Sequence, residues 1–141
     1  MTASLRPTSA VRADLSLVHS TILRDRDNSQ FATTTLPRLK VEYQPKRSLF
    51  FRVVGEYRAQ EQAELLHADT GELLYIAGFP TGLVTQKGLR IDWLASYEPT
   101  PGTAAYFGYG SALESTGAFR FNDLRRLNDG FFVKLAYQFR R

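Results

Sequence analysis

The chain has 141 residues, 43% hydrophobic and 23% charged, the make-up of one ordinary folded domain rather than of a disordered tail. Its formal charge is +4, yet the basic residues are scattered among acidic ones, and no phosphate-tracking run points to nucleic acid. With no cysteine there is neither a disulfide framework nor a thiolate zinc site, and no apolar run of about 18 residues offers a transmembrane helix.

Residues 1–11 contain Arg6 and Pro7 and lack the apolar core of a secretory signal. The first predicted strand follows, over residues 11–24, with Val11, Ala13, Leu15, Leu17 and Leu23 on one face. A polar loop over 24–30 leads to a second strand, 33–44, and a turn at Pro45, Lys46 and Arg47 joins it to a third, 48–58. If Glu42 faces Arg52 in that hairpin, Arg38 faces Glu56, so one register pairs opposite charges twice. The long connection 59–87 has room for a small hairpin near Gly78, Pro80 and Gly82. A fourth strand is predicted over 88–98, where Leu89, Ile91, Trp93, Ala95 and Tyr97 alternate with Arg90, Asp92, Leu94, Ser96 and Glu98. After the Pro99 to Gly102 turn comes a fifth, 103–110; then a long loop, 111–129, with a helical turn predicted near 122–127; then a sixth strand, 130–139.

These segments share one parity. From 11–23, 39–43, 49–57, 89–97, 103–109 and 131–139, the odd-numbered residues are overwhelmingly apolar and carry no formal charge. Successive strand side chains point to opposite faces, so the charges Arg12, Asp14, Arg38, Lys40, Glu42, Arg52, Glu56, Arg90, Asp92 and Lys134 share the other face. The expectation is an all-β, antiparallel up-and-down meander of about six long strands, part of a transmembrane β-barrel with lipid outside and those charges lining the lumen. Short turns follow strands two and four, and longer connections follow one, three and five, as in barrels with short periplasmic turns and long outer loops. That orientation places Tyr43, Tyr97, Tyr137 and Phe139 at one lipid-facing rim and Tyr57, Tyr109 and Phe131 at the other, with Trp93 and Phe107 on the same face. The alternative is a soluble antiparallel barrel or sandwich that binds an apolar ligand on its odd-numbered face.

Chemical motifs are sparse. Asp69-Thr70-Gly71 spells the triplet of aspartic proteases, but His67, Ala68 and Glu72 flank it and suit a loop turn better. His19 and His67 are the only histidines and lack ligand spacing. Arg120, Arg125 and Arg126 near Asp123 and Asp129 read as a self-paired outer loop, and the two-glycine run at Gly108 and Gly110 has no βαβ setting for a dinucleotide. No catalytic, cofactor or metal residue is assigned, and no enzyme is expected.

The closing segment from Asp129 through Phe131, Val133, Leu135 and Tyr137 to Phe139 resembles the last strand of bacterial outer-membrane proteins, which the barrel assembly machinery reads; Arg140 and Arg141 beyond it depart from that pattern. Together with Leu36 to Gln44, Leu49 to Tyr57, Tyr97 to Thr103 and Phe107 to Gly110, it is similar to the C-terminal barrel region of a bacterial family. In that family a carbohydrate-binding module like family 9 precedes an outer-membrane barrel of unknown function. The resemblance implies an outer-membrane location, a role in surface transport or anchoring linked to carbohydrate use, and relatives carrying a signal peptide and earlier strands. Six strands are fewer than the eight of the smallest ordinary barrel, so the chain is expected to be a C-terminal part needing N-terminal strands or other copies, with the lipid bilayer as partner.

Overall fold

Period-2 alternation commits most of the backbone to strand. The computed structural model describes residues 1–115 and 117–138, and among these there are strands, turns and loops but no helix. The strands are β1 (Thr2–Thr8), β2 (Val11–Leu23), β3 (Gln30–Lys46), β4 (Leu49–Gln62), β5 (Tyr75–Ile76), β6 (Phe79–Pro80), β7 (Val84–Thr100), β8 (Thr103–Glu114) and β9 (Arg125–Tyr137). Seven form a single sheet in the order β1-β2-β3-β4-β7-β8-β9, every neighbour antiparallel. The small hairpin β5–β6 sits in the connection between β4 and β7. The fold is therefore the expected all-β meander. The sheet is open: β1 pairs with β2 alone and β9 with β8 alone.

The structure departs from the sequence expectations in three ways. A seventh strand, β1, precedes the first predicted one, its apolar signal limited to Ala3 and Leu5 opposite Leu15 and Ala13. Strands also run further into the long connections. Glu61 pairs with Thr85 and Gln60 with Gln86, polar on both faces and thus without alternation, and the Lys87 Nζ to Glu61 Oε1 ion pair of 2.8 Å holds them together. The helical turn expected near 122–127 is absent, because Arg125 and Arg126 pair with Glu114 and Leu113 and extend β9 across a bulge.

The predicted register of the first hairpin is found: Glu42 stands opposite Arg52, and Arg38 opposite Glu56. Pairing of β3 with β4 skips Leu36 and Pro37, where proline has no N–H to give, and resumes at Thr35. Two residues each connect β1 to β2, β3 to β4 and β7 to β8, all at one end of the sheet. At the last of these, Gly102 takes φ 88° after Pro101, the pairing a type II turn requires. The three longer connections, 24–29, 63–83 and 115–124, lie at the other end.

Only Ala32 and Tyr57 are buried apolar residues among those described, and no large side chain is fully enclosed. One sheet without a second layer has no interior of its own. Away from Tyr57, both faces stay largely open.

Candidate membrane-facing surface and polar face

Antiparallel register turns the odd parity into continuous rows. Ala13, Val41, Val53, Trp93, Tyr109 and Phe131 align across six strands, flanked by a row of Val11, Tyr43, Phe51, Ala95, Phe107 and Val133. Much of this face is uncovered: Phe131 is 75% exposed, Leu135 77% and Tyr137 66%, with Leu15, Leu39, Tyr43, Val53 and Tyr97 also open. Ring contacts Trp93–Phe107 at 5.1 Å and Phe107–Phe131 at 6.5 Å tie β7, β8 and β9 together across it. In β7, Trp93 lies midway between Leu89 and Tyr97, so it marks the centre of the band rather than a rim.

The rim at the two-residue turns is staggered. Tyr43 pairs with Phe51, whereas Tyr97 pairs with Leu49, two residues nearer the turns; Tyr137 pairs with Thr103, two residues beyond Ala105, the partner of Tyr97. The tyrosines thus descend two residues for every two strands. With about 3.3 Å per residue and about 4.8 Å between strands, they share one level if the strands tilt by roughly 35°. That is the tilt of transmembrane barrels, about 35 to 45°.

At the opposite end the odd face becomes polar. His19 Nδ1 and Thr35 Oγ1 lie 3.0 Å apart, with Lys87 in the same row and Thr21, Thr33 and Glu61 beyond. On β9 the change comes earlier, at Asp129, whose carboxylate accepts from the Tyr109 hydroxyl at 3.2 Å and pairs with Arg126 at 3.4 Å. Tyr109 and Phe131 therefore lie where the apolar band gives way. Tyr57 does not face the surroundings as expected: it is 4% exposed. The 115–124 connection folds back on it, Phe119 N–H donating to its hydroxyl at 2.7 Å and the Phe119 and Phe121 rings standing 4.8 and 5.6 Å away. No composition signal marked that loop as a cover. Phe139, also expected at a rim, lies outside the described residues.

On the even face eight of the ten expected charges fall into ion pairs. Asp14 accepts from Ser4 at 2.6 Å and bridges Arg12 at 3.1 Å and Lys40 at 3.0 Å; Lys40 also reaches Glu42 at 3.3 Å. Arg38 meets Glu56 at 4.0 Å, and Arg90 meets Asp92 at 2.8 Å. Arg52 faces Glu42 and Leu94, and Lys134 faces Tyr106. Small residues let this layer lie flat. A Cβ on Gly108 would come within 2.6 Å of Phe132 Cζ, and one on Gly110 within 2.5 Å of Asp92 Oδ1. The glycines of β8 are thus the seats for a ring from β9 and a carboxylate from β7.

The loop end carries the remaining candidates. The Asp69 to Gly71 triplet forms an exposed turn, with Gly71 at φ 74° and its N–H donating to the His67 carbonyl at 2.9 Å. Arg24 pins the two neighbouring connections, donating to the Glu64 carbonyl at 2.6 Å and to Ser29 Oγ at 3.2 Å. Beside it, Ser29 holds the Asp27 carboxyl below its usual range, by its hydroxyl and then by its N–H at 3.0 Å. Arg120, Arg125 and Arg126 do not form one anion site: Arg125 is on the even side opposite Glu114, and Arg126 is held by Asp129. Comparison with known proteins gives no matching family model, no matching curated protein and no matching solved structure.

Proposed function

We propose that the chain forms part of the wall of a bacterial outer-membrane β-barrel, with its odd face toward lipid, its even face toward the lumen and its two-residue turns in the periplasm. The carrying observation is the uncovered apolar band, which spans the sheet and has no second layer to pack against. In β4 the odd-numbered side is apolar from Leu49 to Tyr57, the last of these under the Phe119 loop, a span of eight residues or about 26 Å along the strand and about 22 Å in depth at a tilt near 35°. That approaches the roughly 25 Å apolar height of such barrels. The staggered tyrosine rim and the three short turns at one end support the same orientation.

By the family resemblance of its strands, the role is non-enzymatic: surface transport or anchoring linked to carbohydrate use, with β9 presented to the barrel assembly machinery. The even face carries eight of its ten charges in ion pairs, which suits a rigid, hydrated lumen.

Trp93 is the only tryptophan and sits at mid-band, so it reports directly on lipid contact. Vesicles with bromine at mid-chain should quench its fluorescence strongly, and cell fractionation should find the chain with outer membranes. A freely soluble, monodisperse monomer with Trp93 unaffected by brominated lipid would overturn the reading. It would favour the soluble ligand binder, for which the loop enclosing Tyr57 is the one supporting observation.

A further inference from the structure

We infer that the sheet is completed by an odd number of additional strands, each end of that insert running opposite to β1 and β9, and that a second copy of this chain does not supply them. The inference rests on the membrane reading above. Every neighbouring pair in the sheet is antiparallel, so strands alternate in direction from one edge to the other. With seven of them, β1, β3, β7 and β9 all run toward the two-residue turns. Closing β9 directly on β1 would make a parallel seam. Bacterial single-chain barrels are antiparallel throughout and even in number, and an open edge in hydrocarbon strands its N–H and C=O groups. One further strand gives eight, the smallest ordinary barrel; three or five also satisfy the alternation.

A second copy in the same membrane orientation fails on direction, because it offers its β1 to β9 and its β9 to β1, both parallel. Joining β9 to β9 antiparallel turns one copy upside down and sends its short turns to the wrong side. The segment that fits has defined chemistry. It alternates apolar residues, in line with Ala3 and Leu5 on β1 and Phe131, Val133 and Leu135 on β9, with polar residues in line with Ser4 and Lys134. About 9 to 11 residues suffice for each crossing.

The test extends the full chain before Met1 by copies of its own strands. One added strand repeats β8, two repeat residues 84–114, and three repeat residues 11–62; each series ends running opposite to β1. The proteins are refolded into lipid vesicles and scored for heat-modifiable mobility as monomers. The absence of native cysteine permits a clean disulfide between Val133→Cys and a cysteine in the first added strand. Closure and the intrachain disulfide are expected with one and three added strands and not with none or two. Closure at every length, closure at no length, or a compact particle of unextended chains linked through Leu5→Cys and Val133→Cys would each overturn the inference. Trp93 quenching by brominated lipid, measured on the same samples, separates the failures: quenching without the parity effect sinks this inference alone, whereas its absence sinks the membrane reading.

Discussion

Val53→Arg is the sharpest test of where the odd face lies. Val53 is four residues from Leu49 and four from Tyr57, about 13 Å along the strand from either limit of the band and about 11 Å in depth at a tilt near 35°. On the proposed membrane reading, a guanidinium there would meet the bilayer midplane and should destabilise the folded state by about 2 to 4 kcal/mol. Leu49→Arg, on the same strand and face but beside the turn, should cost about 0 to 1 kcal/mol. The difference, about 2 to 3 kcal/mol, is roughly a 30- to 150-fold change in the folding equilibrium. Val54→Gln, one residue away on the polar face, should stay within about 0.5 kcal/mol, as surface changes usually do. Reversible urea unfolding in vesicles, followed by Trp93 fluorescence and gel mobility and extrapolated linearly, measures all three. Equal costs for Val53→Arg and Leu49→Arg, or both below about 0.5 kcal/mol, would refute a depth-dependent apolar medium against this face.

Gly108→Val should destabilise by about 1 to 2 kcal/mol, since Phe132 must leave its seat and adopt a poorer rotamer. A double-mutant cycle with Phe132→Ala should recover most of that loss, and independent effects would rule out the proposed seat. Tyr57→Phe removes the acceptor of the Phe119 N–H and should cost about 1 to 3 kcal/mol locally, read as faster amide exchange at Phe119 with the sheet amides unchanged. Arg24→Ala should free the 24–29 and 63–83 connections from one another, giving faster proteolysis of both while the strands keep their protection. The Asp27 carboxyl is depressed in the folded loop, so its contribution is present above the unfolded value of about 3.9 and is lost as pH falls through the lower folded value. Acid titration by NMR should show the Ser29 amide shifting only below about pH 4, and Asp27→Asn should abolish that step.

What the sequence revealed was governed by how sharply each feature is encoded. Face assignment was legible because a strand side chain has only two directions, and Leu89 to Tyr97 alternates with Leu94 as its single lapse. The register of β3 against β4 was legible because Arg38, Glu42, Arg52 and Glu56 fit one alignment twice. Strand ends were not, since Gln60 and Glu61 opposite Gln86 and Thr85 are extended by pairing rather than by any pattern of their own. β1 escaped because two apolar residues are too few to establish a period, and the helical turn expected near 122–127 gave way because pairing with β8 drew Arg125 and Arg126 into strand. The tyrosine stagger depends on the β4–β7 register, which spans a 21-residue connection and so could be seen only once the sheet was assembled. The cover over Tyr57 is a tertiary contact of 60 and more residues' separation and left no local trace.

The meander also prescribes an order of folding. Neighbours in the sheet are successive in the chain apart from the short β5–β6 insert, so most contacts close connections of two, six or ten residues. Loop-closure entropy grows slowly with length and is small for each such step. The one long closure, residues 63–83, is shortened by its own hairpin and by the Leu66 to Leu73 bridge. Strands can therefore be added pair by pair, starting at any tight turn. Every intermediate nonetheless exposes two raw edges. If the sheet closes as proposed, the last seam would join distant ends of the strand order, and it would convert a growing ribbon into a structure that hydrocarbon tolerates.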